Sequence, residues 1–472
     1  MTTSPVSVDQ HLARVCELVQ PPHPQLVPVQ EAHGCYLADP VQARQPIPSF
    51  HNSAMDGFLL HEADLSGPAP WTVPVVGEVA AGGSPQELAP HQALRIMTGA
   101  PICGDTDSLR VVPSELTNAQ LGPSQLPEQV TIHELPGKRH IRLRGEVITP
   151  GTEIAAAHTL VDAGTLAFLL TAGVTEVSVY RRPRVAVISS GDELISTANP
   201  ASTRAASATI DAAGSKARGS SDEQVHYRIV DSNGPMVANL LAEHGPVDIQ
   251  RFHVGDGVEK LIALFDELTS SVAPPLDLIV TTGGISQGVF DVVKAAATRS
   301  PNADFWFGNA AQRPGSPQGA GLWNGVAVVT LPGNPVAAYV SATVYALAAL
   351  YILQGRTGSS AATTTAHGDA QNGTQNDAQA HTQANTWWPH RAAQLAAHRV
   401  LPRPRPGKTQ LVPVRIEAAD SGVVAVPTTV GKPGSHFVSA LTEIAGLAII
   451  PQAEHAEQNG PTGMVTVLGW SR

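Results

Sequence analysis

Four short segments carry side chains suited to anion and metal chemistry, and each follows an apolar run. Gly191-Asp192-Glu193 follows RVAVISS, and Asp231-Ser232-Asn233-Gly234 follows YRIV. Gly283-Gly284-Ile285-Ser286-Gln287-Gly288, with Asp291 and Lys294 behind it, follows LIVTT, and Leu331-Pro332-Gly333-Asn334-Pro335 follows VAVVT. Glycines and helix starts offer free backbone N–H groups to an anion, while converging carboxylates suit a hard cation such as Mg2+. A phosphorylated ligand with its metal satisfies both. Taken singly, each segment has a plainer reading. Asp231 can cap the next helix, Pro332-Gly333-Asn334-Pro335 can be a turn with proline at the helix start, and Asp291 and Lys294 can be a solvated i, i+3 pair. Their shared position is what joins them, because open parallel sheets bind ligands beyond the carboxyl ends of their strands.

The N-terminal half holds two further clusters, Asn52-Ser53-Ala54-Met55-Asp56-Gly57-Phe58 and Met97-Thr98-Gly99-Ala100-Pro101. Alone, Asp56 before a glycine in a Ser/Asn-rich loop reads as a turn carboxylate. Neither GxxxxGK[ST] nor GxGxxG occurs, which weighs against nucleoside-triphosphatase and Rossmann dinucleotide functions.

The elements that must position these residues follow a regular pattern. From Arg184 onward, RVAVISS, YRIVD, VDIQRFHV, LDLIVTTGG and GVAVVTLPGNP alternate with helical stretches such as PMVANLLAEHG, VEKLIALFDEL and VFDVVKAAATRS. That alternation predicts right-handed crossovers and a parallel sheet covered on both faces. Val336 to Leu353 reaches membrane-spanning length, but it follows a strand and a Pro-Gly turn directly and so predicts a buried core helix. Beyond it, TQLVPVRIEA, GVVAVPTTV, LAIIP and MVTVLGW predict a small β domain with one helix near His436 to Ile444. Residues 1–182 are mixed: a helix near Val8 to Val19, strands such as WTVPVVGEV and ALRIM, and a helix over 160–173. Residues 357–386 contain no large apolar side chain and predict a linker or disordered insertion, and 197–223 predicts an expanded surface loop.

Composition sets the outer bounds. A chain of 472 residues needs three or four domains at roughly 100 to 200 residues each. With 29 Lys plus Arg against 40 Asp plus Glu, the net charge of −11 argues against gripping nucleic acid or an anionic membrane through the overall field. Three scattered cysteines without CxxC spacing suggest a reduced chain with neither disulfide frame nor structural zinc. The start, MTTSPVSVDQHLARVCELV, lacks the basic and apolar regions of a signal peptide, which points to the cytoplasm.

In order along the chain, NSAMDGF, MTGAP, HIRLRGE, SSGDEL, DSNG, TTGGISQGVFDVVK and LPGNPVAAY resemble the molybdopterin molybdenumtransferases, the MoeA and gephyrin E-domain family. The resemblance runs from about Pro46 to Leu353, and GSHFVSALTEIAGLAIIP resembles that family's last domain. It implies an α/β multidomain chain. An elongated N-terminal dimerisation domain (1–50 and 141–182) would carry an inserted β domain (51–140). A doubly wound, MogA-like molybdopterin-binding α/β domain (183–356, with the loose insertion 197–223) would follow, then a disordered linker (357–390) and a C-terminal small β-barrel-like domain (391–472). A homodimer is implied, with the active cleft between the α/β domain of one chain and the inserted β domain of the other, and a molybdopterin adenylyltransferase as partner.

The implied reaction inserts molybdate into the dithiolene of adenylylated molybdopterin and releases AMP, with Mg2+ as cofactor. The dithiolene supplies the sulfur ligands, so no protein cysteine is needed. Carried over by motif, Asp56, Glu193, Asp231 and Asp291 match the family's catalytic acids, the last three also as metal ligands. Thr98, Gly283, Gly284, Ser286, Lys294, Arg313, Pro332, Gly333 and Pro335 are the implied binding residues. Several positions depart from the family pattern. His51 and Phe58 flank the first motif, where Asp and Tyr are usual, and ICGDTDSLRVV is irregular. Val147 replaces the acid of the family's GED, and Ser316 replaces the second lysine of its KPGKP loop, here Arg313-Pro314-Gly315-Ser316-Pro317. Those last two losses leave open a divergent paralogue that binds molybdopterin, or pairs with an active insertase, without catalysing insertion. A pyrophosphatase or amidase adjunct related to competence-damage proteins would share only the α/β domain, and NSAMDG and the C-terminal β segments count against it.

Overall fold

The computed structural model describes residues 4–119, 126–195, 228–270, 276–285, 291–356, 392–397, 401–402, 404–419, 422–428, 438–453 and 464–468. The expected loop at 197–223, the expected linker at 357–390 and Ser286 lie outside the described residues. The chain divides into two compact units, one of Leu26–His33 and Leu37–Val179, the other of Met1–Gln25, Gly34–Tyr36 and Tyr180–Arg472.

The first unit contains a five-stranded sheet in the order Leu109–Pro113, Gly57–His61, Ala93–Ile96, Trp71–Val79, Gln129–Ile132. Along Trp71–Val79 the side chains alternate, with Val73, Val75 and Val79 buried, as a half-buried strand requires. Both faces of the sheet are covered. Phe58, Leu60, Val112 and Ile132 belong to one apolar cluster and Leu59, Leu94, Ile96 and Val111 to another. Phe58, at the position where the family usually has tyrosine, is 0 % exposed and packs as an ordinary core aromatic. The helix expected over 160–173 forms at Ala163–Thr171, capped by Asp162, whose carboxylate accepts from the Thr165 N–H at 2.8 Å.

The second unit opens with helix α1 (Val8–Glu17), started by a capping box in which Ser7 and Gln10 bond reciprocally. Its buried residues Val8, His11, Leu12 and Val15 follow helical spacing, and the apolar ones pack into the core of the α/β sheet. That sheet comprises β1 (Arg184–Ser190), β2 (Asp248–Val254), β3 (Leu278–Thr282), β4 (Ala303–Asn309), β5 (Pro317–Trp323) and β6 (Val326–Leu331), in the order β2-β1-β3-β6-β5-β4. β1, β2, β3 and β6 run parallel, and β5 is antiparallel to both its neighbours. Helices α2 (Asn233–Glu243), α3 (Val258–Leu268), α4 (Val292–Arg299), α5 (Pro335–Ser341) and α6 (Leu347–Leu353) complete the layers, with a π-helical segment, Ala342–Ala346, joining the last two. α2 and the α5–α6 stretch share one apolar cluster with the sheet, and α3 and α4 share another. Pro335–Leu353 is long and apolar enough to cross a membrane, but 89 % of its most apolar 18-residue stretch is buried, as the strand and turn before it predicted.

Three expectations are corrected. YRIV is not a strand of the main sheet, because β1 already has β2 on one edge and β3 on the other; the exposed pair Ile229–Val230 instead lies parallel to Leu194–Ile195. The sheet is mixed rather than wholly parallel. β5 carries Gly319 and Gly321, where a Cβ would stand 2.6 Å from the Phe307 ring and 2.6 Å from the Phe305 ring respectively, so the glycines make room for aromatics of β4. The helix expected near His436 to Ile444 is a single 3-10 turn, Val438–Leu441, among the described residues.

The C-terminal strands form where predicted, at Thr409–Ala419, Gly422–Pro427, Gly446–Ile450 and Met464–Leu468, joined by Ala392–Ala397. Because Thr409–Ala419 also pairs with Gly446–Ile450, these five strands close on themselves as a small barrel around Val414, Ala448, Ile450 and Val467.

Candidate functional site

A cleft of about 890 Å³ lies at the carboxyl edge of the parallel strands in the second unit. Its size suits one drug-sized ligand. Each strand end contributes backbone or a carboxylate. After β1 the chain turns at Gly191, whose φ of +141° L side chains rarely adopt; a Cβ there would stand 2.3 Å from Glu193 Oε2, so the carboxylate lies back across the glycine. Glu193 is exposed, and among the described residues nothing hydrogen-bonds or pairs with its carboxylate.

Asp231 is different in kind. It is 5 % exposed; its Oδ2 accepts from Ser189 Oγ at 2.7 Å, and its Oδ1 accepts from the Gly234 N–H at 3.0 Å. It therefore caps α2 and ties that helix to the end of β1, while still lining the cleft. Asn233 donates to the Gly333 carbonyl at 2.7 Å, which joins this loop to the one after β6. There Asn334 caps α5 by accepting from the Ala337 N–H, with Pro335 at the first helical position. A Cβ on Gly333 would stand 3.4 Å from the Gly283 Cα, and one on Gly283 3.1 Å from the Ser190 carbonyl oxygen, so these loops meet backbone to backbone. Among the described residues, two buried polar atoms in the cleft wall, Asn233 Oδ1 and Thr282 Oγ1, have no hydrogen-bond partner.

Of the residues singled out in the sequence, the cleft gathers Glu193, Asp231, Gly283, Gly284, Asp291, Arg313, Pro332, Gly333 and Pro335. Lys294 lies on the exposed side of α4 and is not among the lining residues. Asp56 and Thr98 belong to the other unit, where the two motif loops meet directly: Asp56 Oδ1 accepts from the Thr98 N–H at 2.6 Å, and Gly99 N donates to the Ser53 carbonyl at 2.8 Å. In the same unit Val147 is 68 % exposed, an apolar side chain with no core to fill. Ser316 turns its hydroxyl inward and donates to the Ala310 carbonyl at 2.9 Å.

Among the described residues, two charged lining residues escaped the sequence reading. Asp256 follows β2 in Gly255-Asp256-Gly257, so the strand-end rule already applied to the other strands reaches it. Lys408 precedes the barrel strand whose Thr409–Gln410 pairs in parallel with Gln312–Arg313, which brings it into the same cleft as Arg313. Its only local signal is a basic residue in a Pro/Gly-rich turn.

The residues that fold into these loops also match known proteins. Residues 6–173 match the MoeA N-terminal region (domain I and II), and residues 186–351 match a probable molybdopterin binding domain. The chain is 31 % identical to molybdopterin molybdenumtransferase 2 of Mycobacterium tuberculosis over 454 residues, covering 94 % of this chain and 95 % of the relative. It is 30 % identical to the molybdopterin molybdenumtransferase of Bacillus subtilis over 343 residues, covering 71 % and 72 %. The crystal structure of a molybdopterin biosynthesis MoeA protein from Pyrococcus horikosii shares the fold, with a TM-score of 0.65 at 21 % identity over 99 % of this chain and all of that one. A relationship confined to the α/β domain, as with competence-damage proteins, does not account for a match that begins at residue 6. With the two matched regions in the same order as its motifs, and 31 % identity across nearly the whole of both chains, the chain belongs to the molybdopterin molybdenumtransferase family.

Proposed function

We propose that this transferase inserts molybdate into the dithiolene of adenylylated molybdopterin in molybdenum-cofactor biosynthesis, releasing AMP, and that the cleft holds the pterin and its phosphates. One observation carries the reading: a single cleft joins three backbone-rich loops to four carboxylates, Glu193, Asp231, Asp256 and Asp291, with Arg313 and Lys408 as the lining cations among the described residues. The acids outnumber the cations, so a phosphorylated ligand needs a further positive charge there. The donor set fits Mg2+, which is usually held by one or two carboxylates together with water and substrate phosphate rather than by a preformed protein cage. Among the described residues no three His, Cys, Asp or Glu side chains are gathered closely enough to hold a metal by themselves, in keeping with an ion that enters with its substrate. Glu193, Asp231 and Asp291 are the residues that would hold it. Mg2+ so placed supplies charge neutralisation at the phosphoanhydride.

The chain's own residues then have separate tasks. The Gly283-Gly284 and Pro332-Gly333 loops bind pterin and phosphate through backbone N–H groups, and Asn233 Oδ1 and Thr282 Oγ1, unsatisfied among the described residues, offer acceptors to the pterin N–H groups. Glu193, without a partner among the described residues, orients the water that cleaves the phosphoanhydride and takes its proton. Arg313 and Lys408 face the oxyanion. Asp56 organises the Thr98 turn in its own unit. Purified protein given adenylylated molybdopterin, Mg2+ and molybdate is expected to release AMP and to yield a cofactor that reconstitutes a molybdoenzyme. Tight binding without molybdate-dependent AMP release would instead favour the non-catalytic paralogue, the reading to which exposed Val147 and the inward-turned Ser316 lend support.

The proposed working form is a homodimer. Helix Ala163–Thr171 is apolar around most of its surface, burying Leu169 while leaving Phe168 36 % and Leu170 41 % exposed. Replacing both exposed residues by aspartate is expected to convert the dimer to monomer in light scattering; an unchanged mass would place the dimer contact elsewhere.

A further inference from the structure

The turn Arg313-Pro314-Gly315-Ser316 sits against a buried polar network inside the largest apolar core. Gln312 is 0 % exposed; its amide nitrogen donates to the Pro314 carbonyl at 3.0 Å and to Ser341 Oγ at 3.2 Å, while its Oε1 accepts from Tyr345 Oη at 2.5 Å. Gln318, 1 % exposed, donates to the Gly315 carbonyl and to Ser341 Oγ, both at 2.7 Å. Ser341 ends α5, and Tyr345 lies four residues on in the π-helical segment, a rare form that tends to mark functional places. Gly315 rests directly on the network: its φ is +80°, and a Cβ would stand 2.9 Å from Ser341 Oγ and 3.2 Å from Gln312 Nε2.

Burying two amides and two hydroxyls among Val340, Ala342 and Val344 gains little over apolar packing, because each group must recover the hydrogen bonds it leaves in water. What the network does achieve is directional. Its glutamines end on the carbonyls of Pro314 and Gly315 and hold those negative dipole ends against the helix, while Arg313 stays exposed in the cleft. An oxyanion site needs this separation, since a carbonyl swung into it would repel the ligand.

We infer that Gln312, Gln318 and Tyr345 are positioning residues that hold the 313–316 turn in its oxyanion-binding form. The inference rests on the reading that this turn receives molybdate. Supporting groups of this kind fix a binding loop through a second layer of hydrogen bonds and act on affinity rather than on chemistry.

The test compares Tyr345→Phe, Gln312→Met and their double variant with Arg313→Ala, each assayed for molybdate-dependent AMP release. Tyr345→Phe keeps the ring against His11, at 4.5 Å between centroids, and removes one hydroxyl. Tyr345→Phe and Gln312→Met are each expected to raise KM for molybdate about tenfold, with kcat and KM for adenylylated molybdopterin changed less than twofold, and Arg313→Ala to raise the molybdate KM at least as much. The double variant is expected to match Gln312→Met, because Tyr345 acts through Gln312. If Gln312→Met fails to fold, Tyr345→Phe decides alone. An unaltered molybdate KM in Tyr345→Phe beside a raised one in Arg313→Ala overturns the positioning role and leaves the proposed function standing. If Arg313→Ala also leaves it unaltered, the oxyanion reading of the turn fails instead.

Discussion

Glu193→Ala is expected to slow molybdate-dependent AMP release by a factor of about 10³, within the range for losing a positioned acid–base group, while its thermal melt overlays that of the parent. Both halves follow from its setting. The side chain stands exposed on the turn after β1 and has no hydrogen-bond or ion-pair partner among the described residues, so its removal costs the fold nearly nothing, within about 0.5 kcal/mol. Gly191→Ala provides a second route to the same loss. A methyl group there would meet Glu193 Oε2 at 2.3 Å and displace the carboxylate, with some added strain from the φ of +141°. Asp231→Asn is expected to behave differently and lose stability together with turnover, because Asp231 holds the Ser189 hydroxyl and the Gly234 N–H in a nearly closed site. AMP quantified by chromatography and melting followed by circular dichroism separate the two patterns. A Glu193→Ala protein that unfolds would remove Glu193 from the catalytic assignment.

The second large effect concerns pH. His11 is 0 % exposed within the α/β core, its ring tilted 5.0 Å from Trp306 and edge-on to Tyr345, and neither ring nitrogen has a hydrogen-bond partner among the described residues. Burial, and then the positive charge of Arg14, which stacks over Trp306 at 4.1 Å, hold its pKa down to about 3. The folded state thus refuses a proton that the unfolded chain accepts below its ordinary value of 6.5. The associated stability is complete above that value and is lost progressively as pH falls toward 3. At pH 4.5, two units below the unfolded value, the loss is about 3 kcal/mol at 1.36 kcal/mol per unit. His11→Phe keeps the ring and removes the titration. It is expected to match or exceed the parent in stability at pH 8, by up to about 2 kcal/mol, since two unpartnered nitrogens disappear. Its urea midpoint is expected to fall less steeply between pH 6.5 and 4.5. Parallel acid limbs for the two proteins would show that His11 is protonated without cost.

Much of the α/β unit was legible because its central strands are buried on both faces. RVAVISS, LIVTT and VAVVTL read as unbroken apolar runs for that reason, and the long apolar stretch from Val336 read as a core helix. β4 and β5 were not legible, since Gly308, Gly319, Gly321 and Pro317 speak locally for loop. Only the aromatics of the facing strand, which need the room that glycine leaves, explain them as strand. YRIV failed in the opposite sense: its local pattern suits a strand, but both edges of β1 were already taken.

The site divides along the same line. Strand-end chemistry placed Glu193, Gly283 and Gly333 beside one another from sequence, because a parallel sheet delivers all its carboxyl ends to one edge, whereas Asp231 reaches the same cleft from a segment outside that sheet. The types and spacing of those residues were determined locally. Tertiary structure alone decided that Asp231 is a closed, doubly bonded carboxylate while Glu193 is an open one, that Lys408 reaches the cleft lined by Arg313, and that Gln312 and Tyr345 meet beneath the binding turn. The physical reason is that strand register and core packing join residues far apart in the chain, and no local propensity carries that pairing.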